Sequence, residues 1–185
     1  MKNSSSRLVS FQRIALVGIA SLVAIGACGS SDSTENADVM FAQMMIPHHE
    51  QAIELADLAL NPAAGASEAV RELATQIKNA QDPEIAFMKN WLSEQNEPLV
   101  ADDGVDHSSM MSGMLTIDEL DTLRTLTGAE FDQAWIAGMI AHHEGAIDMA
   151  ETVQRDGSDD EIAELAAAIV AGQSAEIATL KALLT

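Results

Sequence analysis

The chain has 185 residues, of which 29 are Asp or Glu and only 9 are Lys or Arg, giving a formal net charge of −20. Such a charge repels phosphate backbones and excludes a nucleic-acid binder. Hydrophobic residues make up 48% of the chain, enough for a packed core, whereas aromatic residues make up 3% and argue against a β-sandwich or β-barrel. A single cysteine excludes an intrachain disulfide and a Cys-x-x-Cys site. The composition therefore favours one domain of packed helices.

The N-terminal segment has the pattern of an export signal. Basic residues precede a run of apolar and small residues that is too short to span a bilayer as a helix. The run ends in Ile25-Gly26-Ala27-Cys28, which resembles the lipobox of bacterial lipoproteins. We expect residues 1–27 to be a lipoprotein signal peptide, Cys28 to be lipidated, and residues 28–36 to be a flexible tether. The domain would then lie outside the cytoplasm, in the bacterial cell envelope. Secretion without lipidation and a transmembrane anchor are the alternatives.

One motif occurs twice, 94 residues apart. It reads Met-Ile-Pro-His-His-Glu-Gln-Ala-Ile from Met45 and Met-Ile-Ala-His-His-Glu-Gly-Ala-Ile from Met139. A second match, Gln-x-x-Glu-Ile, begins at Gln81 and recurs at Gln173, 92 residues later. Because the small difference between these offsets falls in the loops, each half is predicted to be a helical hairpin. The hairpins would cover about 37–93 and 129–184, joined by a linker at 94–128.

Hydrophobic periodicity and end signals divide the hairpins into four long helices. Capping boxes, in which a hydroxyl and a carboxylate satisfy free N–H groups reciprocally, are predicted at Thr127 and Ser158. A third at Thr116 opens a short linker helix that ends near Gly128. The sequence predicts an all-α, ferritin-like four-helix bundle over 37–185, because the linker is long enough for a crossover. The long helices are predicted at 37–60, 67–93, 129–155 and 159–184.

Each predicted helix carries polar residues where its core-facing stripe should be apolar. Adjacent histidines lie near the middle of the first and third helices, and a Gln and a Glu lie near the middle of the second and fourth. A buried carboxylate is unfavourable unless it is paired, so we expect each Glu to accept a hydrogen bond from an imidazole. Such a bond fixes the tautomer and makes the other ring nitrogen a better metal ligand. Pro47 and Pro83 are expected to kink or break the helices of the first half. The predicted layer contains His48, His49, His142 and His143, with Gln81, Glu84, Gln173 and Glu176 behind them.

Methionines near these histidines indicate a class of metal ion. Met45 precedes His49 by one helical turn, and Met139 precedes His143 in the same way. Thioether plus imidazole suits Cu(I), and imidazole alone also suits Cu(II) or Zn(II). The sequence contains neither the Glu-x-x-His motif of di-iron bundles nor the His-Glu-x-x-His motif of zinc proteases. The alternative is a histidine network that holds the bundle together through Gln and Glu and binds no metal.

The linker holds a second candidate site. His107, Met110, Met111 and Met114 place one imidazole and three thioethers within eight residues of sequence rich in Ser and Gly. This cluster is predicted to capture copper weakly at the surface. The alternative is that its methionines anchor the linker on the bundle.

The doubled Met-Ile-x-His-His-Glu-x-Ala-Ile motif, with Gln-x-x-Glu-Ile in each hairpin, resembles the family called domain of unknown function 305 across about residues 38–184. The resemblance implies a ferritin-like bundle and export, and it makes copper, as Cu(I) or Cu(II), the expected ion. The matching ligand positions are His48, His49, His142, His143, Met45 and Met139. We therefore expect a non-catalytic copper-binding protein, attached to the membrane by its lipid anchor, with no nucleic-acid partner. A helical envelope adaptor or stress protein without metal is the alternative, and an enzyme would need an open metal position and a substrate cleft.

Overall fold

The computed structural model describes residues 32–100 and 111–184, and every regular element in these ranges is helical. The predicted signal peptide and Cys28 lie outside the described residues, as do His107 and Met110 of the linker. The predicted all-α class and the short linker helix are confirmed. In chain order the described helices are α1 Asp32–Leu60, a 3₁₀ turn Pro62–Ala64, α2 Glu68–Gln95, α3 Ile117–Thr125, α4 Gly128–Asp156 and α5 Asp160–Leu183.

The helix starts follow the capping chemistry of the sequence, with two corrections. The box at Thr116 is present, because its hydroxyl accepts from the Glu119 N–H at 3.3 Å and the Glu119 carboxylate accepts from the Thr116 N–H at 2.8 Å. The box predicted at Thr127 is wrong: its side chain makes no capping bond, and the residue after it has a left-handed φ of 61°. At α5 the cap is Asp159, whose carboxylate accepts from two N–H groups of the first turn, and not the preceding Ser158.

The prolines of the first half do not interrupt its helices. α1 continues through Pro47 and α2 through Pro83, so the alternative of a break is wrong, and the kink stays a prediction. Each proline removes one backbone hydrogen bond, and the buried residues on both sides of it hold the helix in place. α1 also begins at Asp32, so that residues 32–36 of the expected tether are helical. The sequence has neither Pro nor Gly between Asp32 and Pro47, and the helix can therefore extend toward the N-terminus.

α1 and α4 are antiparallel neighbours. The Trp135 indole N–H on α4 donates to the Leu55 carbonyl on α1 at 2.8 Å. At the other end, Asp38 of α1 accepts from the N–H groups of Ser158 at 2.8 Å and Asp159 at 3.1 Å, in the turn between α4 and α5. Since α2 runs back along α1, α2 and α4 point the same way, and the linker must cross the length of the bundle. This is the crossover connection of ferritin-type bundles.

The core consists of two apolar clusters with a polar layer between them. One cluster contains Leu55, Ile77 and Trp135, and the other contains Phe41 and Met88. Along each long helix, the residues of the two clusters are separated by the motif residues: the histidines in α1 and α4, and the Gln and Glu in α2 and α5. The chain thus places its polar residues at one level in all four long helices.

One helix of the described residues, α5, is long and apolar enough to cross a membrane by length and composition alone. Much of its apolar character comes from alanine. Its larger apolar residues Ile162, Ile169 and Leu180 are at most 1% exposed and fill the bundle core. A core helix has the same length and composition as a membrane span, so this property does not separate the two.

Candidate metal centre

All four motif histidines are buried at the centre of the bundle. His48, His49, His142 and His143 each have a relative exposure of 0%. The rings of His48 and His142 meet across the α1–α4 contact, with their centroids 3.8 Å apart and their planes tilted by 43°. The centroids of His142 and His143 are 6.3 Å apart. The two motifs therefore form a single histidine layer, although they are 94 residues apart in sequence.

A carboxylate lies behind one histidine of each pair. His49 Nε2 lies 2.9 Å from the Glu84 carboxylate, and His143 Nε2 lies 2.7 Å from the Glu176 carboxylate. The sequence predicts that each Glu accepts from an imidazole, and the structure shows which histidine of each pair is the donor. A carboxylate only accepts, so Nε2 must carry the proton, and in a neutral ring the lone pair is then on Nδ1. The side chains of Glu84 and Glu176 are 21% and 18% exposed, so they lie between the buried rings and the solvent.

The linker closes the layer over His48. His48 Nε2 donates to the backbone carbonyl of Ser112 at 3.1 Å, which again leaves the lone pair on Nδ1. Two glycines allow the linker to lie this close to α4. A Cβ on Gly145 would be 1.7 Å from the Ser112 carbonyl oxygen, and a Cβ on Gly113, whose φ is +83°, would be 2.1 Å from the Ala141 carbonyl oxygen. Only glycine fits such approaches.

The side chain of Gln51, on α1, also holds the linker at Leu115, three residues after Ser112. The Gln51 amide donates to the Leu115 carbonyl at 2.9 Å and accepts from the Leu115 N–H at 2.7 Å. Gln51 and Gly145 occupy equivalent positions in the two motifs. Sequence reasoning missed these linker contacts. The available signal was a glycine inside α4 at Gly145, because glycine in a helix interior is unfavourable and often marks a close approach of two backbones.

Burial disfavours the charged forms of the two imidazoles that meet, His48 and His142. Desolvation lowers the pKa of His48 from 6.5 to about 4, even though the Ser112 carbonyl favours the protonated ring, and the neighbouring His49 and His143 act in the same direction as burial. Desolvation, reinforced by His48, also lowers the pKa of His142 well below its usual range. The backbone carbonyl of His48 opposes this shift, although it makes no hydrogen bond to the His142 ring. Both rings are therefore neutral at neutral pH, which is the state that binds metal.

The layer contains many polar atoms without a hydrogen-bond partner. Nδ1 of His48, His49 and His143 and both ring nitrogens of His142 are buried and unpaired. The side-chain amides of Gln81 and Gln173, 1% and 4% exposed, are also unpaired. Each buried polar group left without a partner is unfavourable by about 1–3 kcal/mol. Lone pairs on buried neutral imidazoles are the donors that soft and borderline metal ions prefer.

The two predicted methionine ligands lie on opposite sides of the layer. Met45 and Met139 are both 0% exposed, but Met45 belongs to one apolar cluster and Met139 to the other. In the arrangement described for residues 32–100 and 111–184, no group of three or more His, Cys, Asp or Glu side chains converges on one metal position. Some of these side chains would therefore have to move before three of them could hold one ion.

The two described linker methionines contact different parts of the bundle. Met111 packs against the apolar cluster that contains Phe41, whereas Met114 lines a groove between α3 and α4. Their partners in the predicted loop site, His107 and Met110, lie outside the described residues. The loop site remains a prediction.

The fold and the layer together define a crossover four-helix bundle with a buried centre of two histidine pairs, each backed by a glutamate. The chain belongs to the DUF305 family: the family model for the domain of unknown function (DUF305) matches residues 38–184. The resemblance noted in the sequence is thus confirmed. No curated protein matches the chain.

Solved structures of the same family share the fold. The chain is 31% identical to a DUF305 protein from Streptomyces coelicolor, covering 80% of this chain and 91% of that one, with a TM-score of 0.74. It is 31% identical to a DUF305 fragment from Deinococcus radiodurans, with 80% and 95% covered and a TM-score of 0.71. It is 33% identical to CopM in its Cu(I)-bound form, with 79% and 94% covered and a TM-score of 0.65. CopM structures in Cu(II)-bound, Ag-bound and apo forms match as well.

Proposed function

We propose that this protein binds and sequesters copper in the bacterial cell envelope, without turnover, while it is tethered to the membrane through Cys28. The observation that carries the proposal is the set of buried, unpaired nitrogens in the histidine layer. Glu84 and Glu176 hold Nε2 of two rings and the Ser112 carbonyl holds Nε2 of a third, so that their Nδ1 lone pairs are available for a metal ion.

The donor set favours copper over harder ions. Imidazole lone pairs suit copper and zinc, and the fully buried thioethers of Met45 and Met139 on either side of the layer would favour Cu(I). Mg²⁺ and Ca²⁺ prefer oxygen ligands, and the two glutamates of the layer already accept from imidazoles. CopM, a relative of the same fold, has been crystallised with Cu(I), Cu(II) and Ag, which supports a soft ion here.

The burial of the layer supports sequestration rather than catalysis. A catalytic metal needs an open coordination position that a substrate can reach. All four imidazoles have no exposure to solvent, and the linker covers His48. Export is supported by the signal-like N-terminal sequence and by the Streptomyces relative, which is described as a candidate secreted protein. The lipid tether rests on the sequence that ends at Cys28.

The test is a copper titration of the full chain in detergent micelles against a chelator of known affinity. We expect a dissociation constant below about 1 μM. Replacing both of the rings that meet, with His48→Gln and His142→Gln, should abolish this binding, whereas Asp121→Asn, at an exposed ion pair outside both motifs, should leave it in place. Glu84→Gln should weaken it by about 10–100-fold, the usual effect of changing a partner of a ligand.

Two results would overturn the proposal. One is wild-type binding weaker than about 1 μM. The other is unchanged copper binding in the variant that lacks both the His48 and the His142 imidazole. Either would favour the alternative in which the layer is a structural histidine network of an envelope adaptor or stress protein.

A further inference from the structure

A second feature with donor atoms for a soft ion lies outside the histidine layer. A groove of about 530 Å³ opens between α1 and α4. Met40 and Met44 of α1 and Met149 of α4 line it, together with Ser112 of the linker. Met40 and Met44 are one helical turn apart and therefore face the same side of α1. Three thioethers from two helices thus border one groove.

Two of these methionines differ from those that fill the core. Met45, Met88 and Met139 are 0% exposed, whereas Met40 and Met44 are partly exposed to the groove. Met149 is 7% exposed and belongs to the apolar cluster that contains Phe41, against which Met44 also packs in part. Methionine in a core is commonly a gap filler because it adapts to irregular space, but that does not account for the part of Met40 and Met44 that stays exposed to the groove.

None of the three groove methionines has a methionine at the equivalent position of the repeat. By the 94-residue offset, the counterparts of Met40 and Met44 are Ala134 and Gly138, and the counterpart of Met149 is Leu55. The linker's Leu115 packs against Gly138, with side-chain atoms 3.3 Å from the position of a Cβ there. The matching positions of the other half therefore carry no methionine, and core packing does not account for the exposed parts of Met40 and Met44.

The groove ends at the histidine layer. Ser112, which lines the groove, is the residue whose carbonyl accepts from His48 at 3.1 Å. Met44 precedes His48 by one helical turn. Because the four imidazoles have no solvent exposure, an ion can reach them only past a residue that covers them. The Ser112–His48 bond is such a cover, and the groove lies beside it.

Charge at the groove favours a cation. Asp148 and Asp156 line the groove, and the whole chain carries a formal net charge of −20. These charges attract cations of every kind and do not select among them. Selection comes from the thioethers, which prefer soft ions such as Cu(I) and Ag(I) and bind Zn²⁺, Ca²⁺ and Mg²⁺ poorly.

We propose that the groove bordered by Met40, Met44 and Met149 is an outer binding site for a soft monovalent cation, which captures the ion and delivers it past Ser112 to the histidine layer. Capture depends on the groove alone, whereas delivery rests on the proposed function of the layer. The transfer is an exchange of ligands, from thioether sulfur to imidazole nitrogen. The ion keeps its charge and oxidation state throughout.

Silver nitrate is the probe, because Ag(I) is soft and does not change oxidation state under these conditions. The full chain, labelled with ¹³C at the methionine methyl groups and held in detergent micelles, is titrated and followed by NMR. In the variant with His48→Gln and His142→Gln, the methyl signals of Met40, Met44 and Met149 should shift at less than one equivalent of Ag(I), and that of Met88 should stay in place. In the wild type the imidazole signals of the layer should respond first, because an ion delivered from the groove must be held more tightly by the layer.

Leucine variants test the same point by affinity. In the variant with His48→Gln and His142→Gln, replacing all three groove methionines by leucine keeps the volume nearly constant and should weaken Ag(I) binding at least about tenfold. Met88→Leu in the same background, a matched change in the core, should leave that affinity unchanged. Equal affinity with and without the three groove methionines overturns the groove site.

The measurement separates this inference from the proposed function. If the imidazole signals respond in the wild type and the groove methyl signals do not respond in the variant that lacks both rings, the groove site is overturned and the histidine layer stands. If the groove methyl signals respond while the imidazoles never do, capture stands and delivery to the layer is overturned. In the variant with His48→Gln and His142→Gln, the groove methyl signals should still shift.

Discussion

Mild acid should destabilise the metal-free chain through His48, before most carboxylates titrate. Burial lowers the pKa of this imidazole from 6.5 to about 4. Between these values the unfolded chain binds a proton that the folded chain does not, so the free energy of unfolding falls as the pH drops below about 6.5, and the loss is complete near pH 4. The shift corresponds to about 3 kcal/mol in full and to about 2 kcal/mol between roughly pH 7 and pH 5. His142, whose pKa is also lowered by burial, adds in the same direction.

The assay is urea unfolding of chelator-treated full chain in detergent micelles, followed by circular dichroism at a series of pH values. His48→Gln removes the titrating ring while its amide can still donate to Ser112, so its stability should depend less on pH, by about 2 kcal/mol over the same range. Asp121→Asn, at an exposed ion pair, should keep the wild-type dependence over this pH range. Equal pH dependence in wild type and His48→Gln would refute the reasoning, because the ring would then titrate alike in the folded and unfolded chains.

Two further predictions concern how the linker and the hairpins are held. Gly145→Ala should destabilise the chain by about 2 kcal/mol in urea unfolding, because its Cβ would meet the Ser112 carbonyl oxygen at 1.7 Å. Gly172→Ala, in a helix position with nothing within 4 Å, should instead stabilise it by up to about 1 kcal/mol, and equal effects would contradict the close approach. Asp38→Ala should cost about 2 kcal/mol and speed amide exchange at the start of α5, since a 2% exposed carboxylate loses three hydrogen bonds. Asp121→Ala, at an exposed ion pair, should cost less than about 1 kcal/mol, and a similar loss there would count against the Asp38 contact.

The parts of the site that lie on long helices could be predicted from sequence. That Glu84 and Glu176 accept from imidazoles follows from helical spacing and from the matching order of residues in the two halves, whereas the choice of His49 and His143 as donors comes from the structure. Because an α-helix has a fixed number of residues per turn, the position of a residue in the sequence determines the side of the helix on which it lies. The level of the layer follows for the same reason, since each motif lies near the middle of its helix.

The contacts made by irregular segments could not be predicted in this way. The bond between His48 and Ser112 depends on the path of a linker that has no period, and no pattern in the sequence gives that path. The cap of α5 was misplaced because Ser158 and Asp159 are both good capping residues, and the choice depends on Asp38, which is 120 residues away from Ser158 and accepts from both N–H groups. The methionine groove likewise exists only after α1, α4 and the linker come together.

The path of the linker also bears on how a protein of two similar halves becomes asymmetric. Two matching hairpins would leave His48 and His142 as interchangeable residues on either side of a local two-fold axis. A single segment of chain that crosses the face between them must touch the two halves differently. Here it gives His48 a backbone acceptor through Ser112 and presents only Gly113 to the backbone at His142. Joining the halves in one chain thus makes two equivalent positions of the repeated motif chemically distinct.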